Sequence, residues 1–281
     1  MDSIKSGKNI CKLVIWSFVF ACFGGVGLGA LAAKKTAKKQ KKLPAVVKFY
    51  YEQCIEADNV VSCAKAGVHF EKRGMFKKAI VCYKKACYHE KRPQGAACYL
   101  MGLMTRKTPK VSLKSFKRAC KLKDGDGCTT VGEWLLRQDR KKLKKIRKET
   151  AKKAQAYHYK GCTLKDGRGC HRLARHYIAI KKNKLGRQYL LRSCQFGYPA
   201  GCGYLGWIFE VKKKKPNVAK KLYLAGCKMG ARVECARLGL LFVKLKKIKE
   251  AKRYLQLSCK KGFALACRKL AKLAKKPPKK R

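Results

Sequence analysis

The sequence predicts an all-α protein, a right-handed solenoid of αα-hairpin repeats that is cross-linked by local disulfides. Three observations support this fold class. Cysteine pairs recur at nearly constant intervals, small and bulky residues stand at fixed distances from them, and turn-forming residues lie between the two cysteines of a pair. Repetition at a period of about 20 to 45 residues is the signature of helical repeat arrays.

Seven cysteine pairs mark the repeats. The leading cysteines recur at steps of 33, 33, 42, 32, 33 and 32 residues, which leaves room for one helix, a turn and a second helix. The longer step is filled by an insertion, the lysine-rich stretch from Arg140 to Lys153. The last five pairs each enclose seven residues. The pairs are Cys54 with Cys63, Cys87 with Cys98, Cys120 with Cys128, Cys162 with Cys170, Cys194 with Cys202, Cys227 with Cys235, and Cys259 with Cys267.

Residue sizes alternate around each cysteine pair. Four residues after the second cysteine stands glycine or alanine in every unit, from Gly67 to Ala271. Alanine, serine or glycine stands eight residues before the leading cysteine and again directly before it, with bulky residues such as Tyr83, Phe116 and Tyr223 between. This pattern is typical of helices that pack closely through small residues and bury one apolar stripe.

The segment between paired cysteines has the residues of a tight turn. Gly197, Gly230 and Gly262 lie three residues after their leading cysteines, where a left-handed helix cap favours glycine. Asp124-Gly125 and Asp166-Gly167 are expected to play the same part in two other units. Each pair then joins the end of one helix to the start of the next, and closing so short a ring stabilises by about 2 to 3 kcal/mol. We therefore expect all seven pairs to form local disulfides.

The motif CxxLGxxF, followed by AxxYxxxxC and seven residues to the next cysteine, resembles the Sel-one-like branch of tetratricopeptide-type repeats. Its first half is most complete at Cys202 to Phe209 and Cys235 to Phe242. Within that branch the chain is similar to the Helicobacter cysteine-rich protein family of secreted solenoids, over about residues 46–275. A similar cysteine-rich repeat occurs in a mitochondrial cytochrome oxidase assembly factor. The apolar N-terminus, however, is unlike an Arg-rich transit peptide and favours bacterial export.

The N-terminal segment predicts export. Residues Leu13 to Ala33 carry no charge, follow three lysines and end in an Ala-Leu-Ala cleavage motif, as in a signal peptide. The segment is also long enough to span a bilayer, and the six lysines of residues 34–42 favour an anchor with a cytoplasmic flank. The predicted organisation is signal peptide or membrane anchor (1–33), basic linker (34–45), solenoid (46–275) and basic tail (276–281). The predicted location is secreted or periplasmic, or else membrane-anchored through residues 13–33.

The charge of the chain indicates its class of partner. There are 72 Lys and Arg against 15 Asp and Glu, a formal charge of +57. This favours a protein or an anionic envelope component as partner, unless the charge reflects a lysine-rich proteome. Nucleic acid fits the charge but conflicts with export and with disulfides, which are rare in the cytosol. We assign polyanion binding to the two dense internal runs: Arg140, Lys141, Lys142, Lys144, Lys145, and Lys212, Lys213, Lys214, Lys215.

No residue set stands out as catalytic. Ser-x-x-Lys occurs at Ser62 and at Ser258, about as often as chance allows in so lysine-rich a chain, and no SDN or KTG accompanies it. Cys82 falls on a core-facing position and is expected to be a buried, inert thiol. Without CxxC or HExxH, no metal and no cofactor are expected. Most aromatic residues fall on packing positions, which favours a core role over base stacking.

These observations predict an exported, monomeric, cysteine-rich repeat scaffold that binds a protein or polyanionic partner at the cell envelope. The alternative is a β-lactam-binding protein or weak β-lactamase. It is implied by the family resemblance alone, and the sequence assigns it no catalytic residues.

Overall fold

The computed structural model of the chain describes residues 43–138 and 144–274. Fourteen α-helices follow one another in these residues, without a strand among them, and a π-helical segment, Ile208–Lys212, continues the tenth. The predicted all-α repeat fold is confirmed. Residues 1–33, nearly all of the predicted linker and the basic tail lie outside the described residues. The helices are α1 (Ala45–Ile55), α2 (Val60–Lys72), α3 (Phe76–Tyr88), α4 (Gly95–Met104), α5 (Pro109–Lys121), α6 (Gly125–Gln138), α7 (Lys144–Thr163), α8 (Gly167–Ala179), α9 (Asn183–Gln195), α10 (Pro199–Trp207), α11 (Pro216–Lys228), α12 (Arg232–Lys244), α13 (Ile248–Lys260) and α14 (Ala264–Ala274).

The helices form two layers. Each helix packs against the next in the chain, and successive even-numbered helices also contact one another from α4 through α12. Among the odd-numbered helices of the described chain, only α1 and α3 approach each other to a comparable extent. In a curved array the closer spacing belongs to the concave side. The even-numbered helices are therefore the inner layer, the odd-numbered helices are the outer layer, and the exposed side of the inner layer is the inner face.

Small residues of the inner layer receive bulky residues of the outer layer, as the sequence pattern predicts. A Cβ atom added to Gly67 would lie 2.5 Å from the Tyr83 ring, and one added to Gly102 would lie 2.5 Å from the Phe116 ring. The same close approach joins Gly206 to Tyr223 and Gly239 to Leu255. Any larger residue at these glycines would push two layers apart, so the repeated glycine is a packing requirement.

All seven predicted cysteine pairs lie at disulfide distance, with Cα atoms 4.4 to 4.8 Å apart. Each pair joins the last turn of an outer helix to the first turn of the next inner helix. The predicted local cross-linking of the fold is thus confirmed. Because every cross-link spans neighbouring helices, the disulfides fix the geometry between consecutive helices and leave no long loop to close. The cross-links are Cys54 to Cys63, Cys87 to Cys98, Cys120 to Cys128, Cys162 to Cys170, Cys194 to Cys202, Cys227 to Cys235, and Cys259 to Cys267.

The two irregular cysteine pairs have the same geometry as the regular ones. Cys54 and Cys63 enclose one more residue than the later pairs, and Cys87 and Cys98 enclose three more. Their Cα atoms nevertheless lie 4.5 and 4.7 Å apart, within the range of the other five pairs. The extra residues therefore lengthen the turn between the helices without moving the helix ends apart.

The glycine turns between paired cysteines have the predicted left-handed backbone. The φ angles are 75° at Gly197, 85° at Gly230 and 75° at Gly262. A Cβ atom at this backbone geometry costs about 1 kcal/mol or more, so glycine is the favoured residue there.

The prediction for the two Asp-Gly turns was wrong. The left-handed residue in these turns is the preceding lysine, with φ of 62° at Lys123 and 63° at Lys165. Asp124 and Asp166 are instead the N-caps of α6 and α8, and the Asp124 carboxylate accepts a 2.7 Å hydrogen bond from the Gly127 N–H. An N-cap requires an extended backbone and a side-chain acceptor, and the short Asp side chain supplies that acceptor.

Part of the positive charge is structural. The Lys85 ammonium donates to the carbonyl oxygens of Cys54 and Ile55, each at 3.1 Å, and the Arg118 Nε donates to the Cys87 carbonyl at 3.1 Å. Each basic side chain therefore caps the C-terminus of the preceding outer helix, where free carbonyls and the helix dipole favour a cation. These contacts help to hold successive repeats in register.

Candidate functional site

Arginine and lysine are distributed differently over the two layers. The inner-layer helices contain seven arginines and five lysines, whereas the outer-layer helices contain five arginines and 22 lysines. A guanidinium group binds carboxylate or phosphate through two parallel hydrogen bonds and stacks on aromatic rings, whereas an ammonium group is a compact, strongly hydrated charge. The inner layer therefore holds the groups suited to directional binding of anions. Its arginines are Arg137, Arg168, Arg172, Arg175, Arg232, Arg237 and Arg268.

Helix α8 carries three arginines, and two of them form ion pairs with acidic side chains of α6. Arg168 lies 3.1 Å from the Asp126 carboxylate, and Arg172 lies 2.6 Å from the Glu133 carboxylate, so α6 and α8 are joined by two ion pairs. Arg175 lies further along α8, is exposed, and has no hydrogen bond or ion pair within the described residues. Its guanidinium is free to bind a ligand.

Aromatic side chains accompany these arginines. Trp134, Tyr204 and Trp207 of the inner-layer helices each line an opening at the surface, and the rings of Tyr204 and Trp207 lie 5.8 Å apart. Tryptophan, tyrosine and arginine are the residues enriched at the energetic centres of protein interfaces. The expectation of a core role holds for aromatics such as Tyr83, which is fully buried, but these three residues were missed.

A sequence signal for the inner face exists. Its residues stand two before, two after and five after the second cysteine of each pair, a spacing that places them on one side of a helix. In α8 these positions hold Arg168, Arg172 and Arg175, whereas in α10 they hold Ala200, Tyr204 and Trp207. The packing positions are small or apolar in most repeats, whereas these three positions differ from repeat to repeat. Positions that vary within a regular repeat are candidates for binding.

A pocket of about 620 Å³ opens on the inner face between α8, α10 and α12. It is lined by His171 and Arg175 from α8, Tyr204 from α10, and Glu234 and Arg237 from α12. Groups of both charges therefore face one space. This is a common size for a pocket that holds a small molecule or a short peptide segment.

The histidine of this pocket is neutral at physiological pH. Burial lowers the pKa of His171 to about 4, and the nearby charges of Arg175 and Arg172 act in the same direction. The ring lies 5.3 Å from the Tyr198 ring, and its Nδ1 atom is buried without a hydrogen-bond partner in the described chain. With the imidazole neutral, the positive charge of the pocket lies on the guanidinium groups of Arg175 and Arg237.

A second histidine, His158, is buried in the helix packing. It occupies the bulky position of its repeat and lies against Gly132, where a Cβ atom would come within 2.7 Å of the ring. His158 is 5% exposed, and its Nε2 has no partner in the described residues. Burial lowers its pKa to about 4, while the Glu133 carboxylate acts in the opposite direction. This group makes the fold, rather than the inner face, sensitive to acid.

The predicted polyanion-binding runs are only partly described. Arg140, Lys141 and Lys142 lie outside the described residues, and the side chains of Lys144 and Lys145 are likewise outside them. Lys212 to Lys215 are all exposed; Lys212 ends the π-helical segment, and the other three lie between it and α11. They do not line the inner-face pocket between α8 and α12. Polyanion binding by both runs stays a prediction.

The two candidate serines and the unpaired cysteine are buried or hydrogen-bonded within the fold. The Ser258 hydroxyl donates to the Arg232 carbonyl at 2.6 Å, and the Lys261 ammonium donates to the Gly230 carbonyl at 2.8 Å. Ser62 is buried in the first turn of α2. Cys82 is fully buried, and burial raises the pKa of its thiol to about 11. Neither serine has the exposed hydroxyl that a nucleophile requires, so the β-lactamase alternative gains no support.

Within the part of the chain that the structure describes, no helix is both long and apolar enough to cross a membrane. Seven disulfides are typical of proteins in an oxidising, extracytoplasmic environment.

The fold is similar to that of known repeat proteins. A Sel1 repeat protein from Oxalobacter formigenes superposes with a TM-score of 0.59 at 17% identity, over 79% of this chain and 94% of that one. A protective antigen of uropathogenic Escherichia coli with an SLR fold gives a TM-score of 0.57 at 16% identity, over 80% of this chain, which spans about half (51%) of the antigen. An immunity protein from Pseudomonas aeruginosa gives 0.50 at 17% identity, over 78% of this chain and 83% of that one.

No protein-family model and no curated protein sequence matches the chain. At these identities the structural similarity establishes the fold alone: the chain is a Sel1-like repeat solenoid with local disulfides. The closer resemblance to the Helicobacter cysteine-rich proteins stays a prediction.

Proposed function

We propose that this protein is an exported repeat scaffold whose inner face binds an acidic protein segment or another polyanionic partner at the cell envelope. The observation that carries the proposal is the concentration of arginine on the inner layer, against lysine on the outer layer. A uniform compositional bias would give both layers the same ratio of the two residues.

The chemistry of the inner face supports an acidic polypeptide as partner. Arg137 and Arg175 are exposed, and aromatic rings lie near both, Trp134 on α6 and Tyr204 on α10. A carboxylate can bind a guanidinium while the adjoining apolar atoms pack on the ring. Helical repeat arrays generally present such extended concave surfaces to their partners.

The outer lysines and the predicted runs contribute in a different way. They attract a polyanion over short range without fixing its orientation, because the Debye length at physiological salt is about 8 Å. Neutralising the Lys212 to Lys215 run should therefore weaken binding partially and should reduce its salt dependence.

Binding across a salt series tests the proposal. Poly-L-glutamate and anionic vesicles are titrated with the purified, oxidised protein from low to high salt. Affinity should fall steeply for both, with residual binding of poly-L-glutamate at physiological salt where directional arginine contacts persist. An affinity that does not change with salt, or no binding at low salt, would contradict a role for the charge in recognition.

A further inference from the structure

Glu234 breaks the repeat pattern. It stands directly before the second cysteine of its pair, a position that packs against the preceding outer helix. The corresponding residues of the other repeats are all small: Ser62, Ala97, Gly127, Gly169, Gly201 and Ala266. The repeat fold therefore does not require a charged residue at this position.

Two glycines, Gly203 and Gly226, leave the space that the Glu234 side chain occupies. The residue is 6% exposed. A Cβ atom on Gly226 would lie 2.6 Å from its Cγ, and one on Gly203 would overlap its carboxylate. The carboxyl group has no salt bridge among the described residues; its own backbone N–H donates to it, and the positive charge of Arg237 acts on it without forming an ion pair. A buried carboxyl group without a cationic partner is destabilising.

The missing partner has a place to bind. Glu234 lines the 620 Å³ pocket between α8, α10 and α12, on the opposite helix from the unpaired guanidinium of Arg175. Arg237 also lines the pocket but already donates to the Gly203 carbonyl at 2.9 Å. Within the described residues, Glu234 from α12 and Arg175 from α8 both line the pocket and neither forms an ion pair, although the charge of Arg237 also acts on Glu234.

We propose that this pocket binds a zwitterionic α-amino acid unit, with its ammonium group on Glu234 and its carboxylate on Arg175. A ligand with only a negative charge would satisfy Arg175 and approach Glu234 unfavourably, and one with only a positive charge would do the reverse. A zwitterion satisfies both groups at once. The neutral His171 and the ring of Tyr204 also line the pocket and suit the uncharged part of the ligand.

The ligand is either a free amino acid or a short peptide with both termini free. These share the chemistry and differ in the distance between their charges. The probes are therefore L-alanine, dialanine and trialanine, together with the N-acetylated and the C-amidated form of whichever binds most tightly. Binding is measured by isothermal titration calorimetry on the purified, oxidised protein.

One of the three zwitterions should bind, and removing either terminal charge should weaken it about tenfold or more, because each terminus makes a charge-assisted contact. Glu234→Gln should weaken the zwitterion to the level of its N-acetylated form, and Arg175→Gln to the level of its C-amidated form. The control variants Glu250→Gln and Arg187→Gln remove the same groups from the outer layer and should leave the affinity unchanged.

The proposal is overturned if no zwitterion binds, if the capped peptides bind as tightly as the free one, or if Glu234→Gln binds like the unaltered protein. Glu234→Gln keeps the size of the side chain, so a loss of fold is not expected, and circular dichroism checks this. The exposed Arg175→Gln variant supplies an independent reading. None of these results depends on poly-L-glutamate binding, so this proposal and the proposed function can fail separately.

Discussion

Replacing His158 with phenylalanine should make the stability of the solenoid less sensitive to acid. Burial lowers the pKa of His158 from 6.5 to about 4, so between these pH values the unfolded chain takes up a proton that the folded chain excludes. The free energy of unfolding therefore falls as the pH drops from 6.5 towards 4, and below that the loss from this group is complete. At 1.36 kcal/mol per pKa unit, the total is about 3 kcal/mol. Phenylalanine fits because Phe116 fills the same position two helices earlier.

The assay is urea unfolding followed by far-UV circular dichroism between about pH 7 and pH 4.5. Carboxyl groups titrate in both proteins, so their contribution cancels when the free energies of unfolding of the variant and the unaltered protein are subtracted. Near neutral pH the His158→Phe variant should be at least as stable as the unaltered protein, because it removes a buried nitrogen without a partner in the described residues. As the pH falls, its advantage should grow towards about 3 kcal/mol. Parallel pH profiles for the two proteins would show that protonation of His158 is not coupled to unfolding.

The disulfides, the turns and the two candidate serines can each be tested separately. Peptide mapping without reduction should link Cys194 to Cys202, and likewise within the other six pairs; a link between different pairs would contradict the repeat register. Lys123→Gly should stabilise by about 0.5 to 1 kcal/mol, because it relieves a left-handed backbone, whereas Gly197→Lys should destabilise by a similar amount; an unchanged melting temperature for both would show that φ at this position carries no strain. Nitrocefin should not be hydrolysed by the purified protein, since neither candidate serine is exposed; robust turnover would reveal a site outside the positions described above.

The repeat pattern predicted most of the fold because packing between repeats is local. The cysteine spacing, the glycine at positions such as Gly67 and the bulky partner at Tyr83 recur together, so each repeat confirms the next. The turns were harder to predict. Lys123 takes the left-handed backbone although Asp-Gly follows it, because the Asp side chain is needed as the cap of α6.

The candidate site was not predicted from the sequence, for a physical reason. The densest charge in the sequence lies in lysine runs such as Lys212 to Lys215, whereas the inner face carries its arginines about one helical turn apart, as at Arg168, Arg172 and Arg175. Which side of each helix faces the concave surface depends on contacts between repeats, and these are visible only in the folded array. The irregular residue Glu234 could have been noticed from the alignment of the repeats alone.

Matched arginine variants of the two layers distinguish binding by the inner face from binding by net charge. A double variant with Arg137→Gln and Arg175→Gln on the inner layer and one with Arg187→Gln and Arg253→Gln on the outer layer change the net charge equally. Their affinity for poly-L-glutamate is measured by fluorescence anisotropy at physiological salt. The inner pair should lose about tenfold or more, as expected when two charge-assisted contacts are removed, and the outer pair should change less than about twofold. Equal losses for the two pairs would show that net charge, and not the inner face, determines binding.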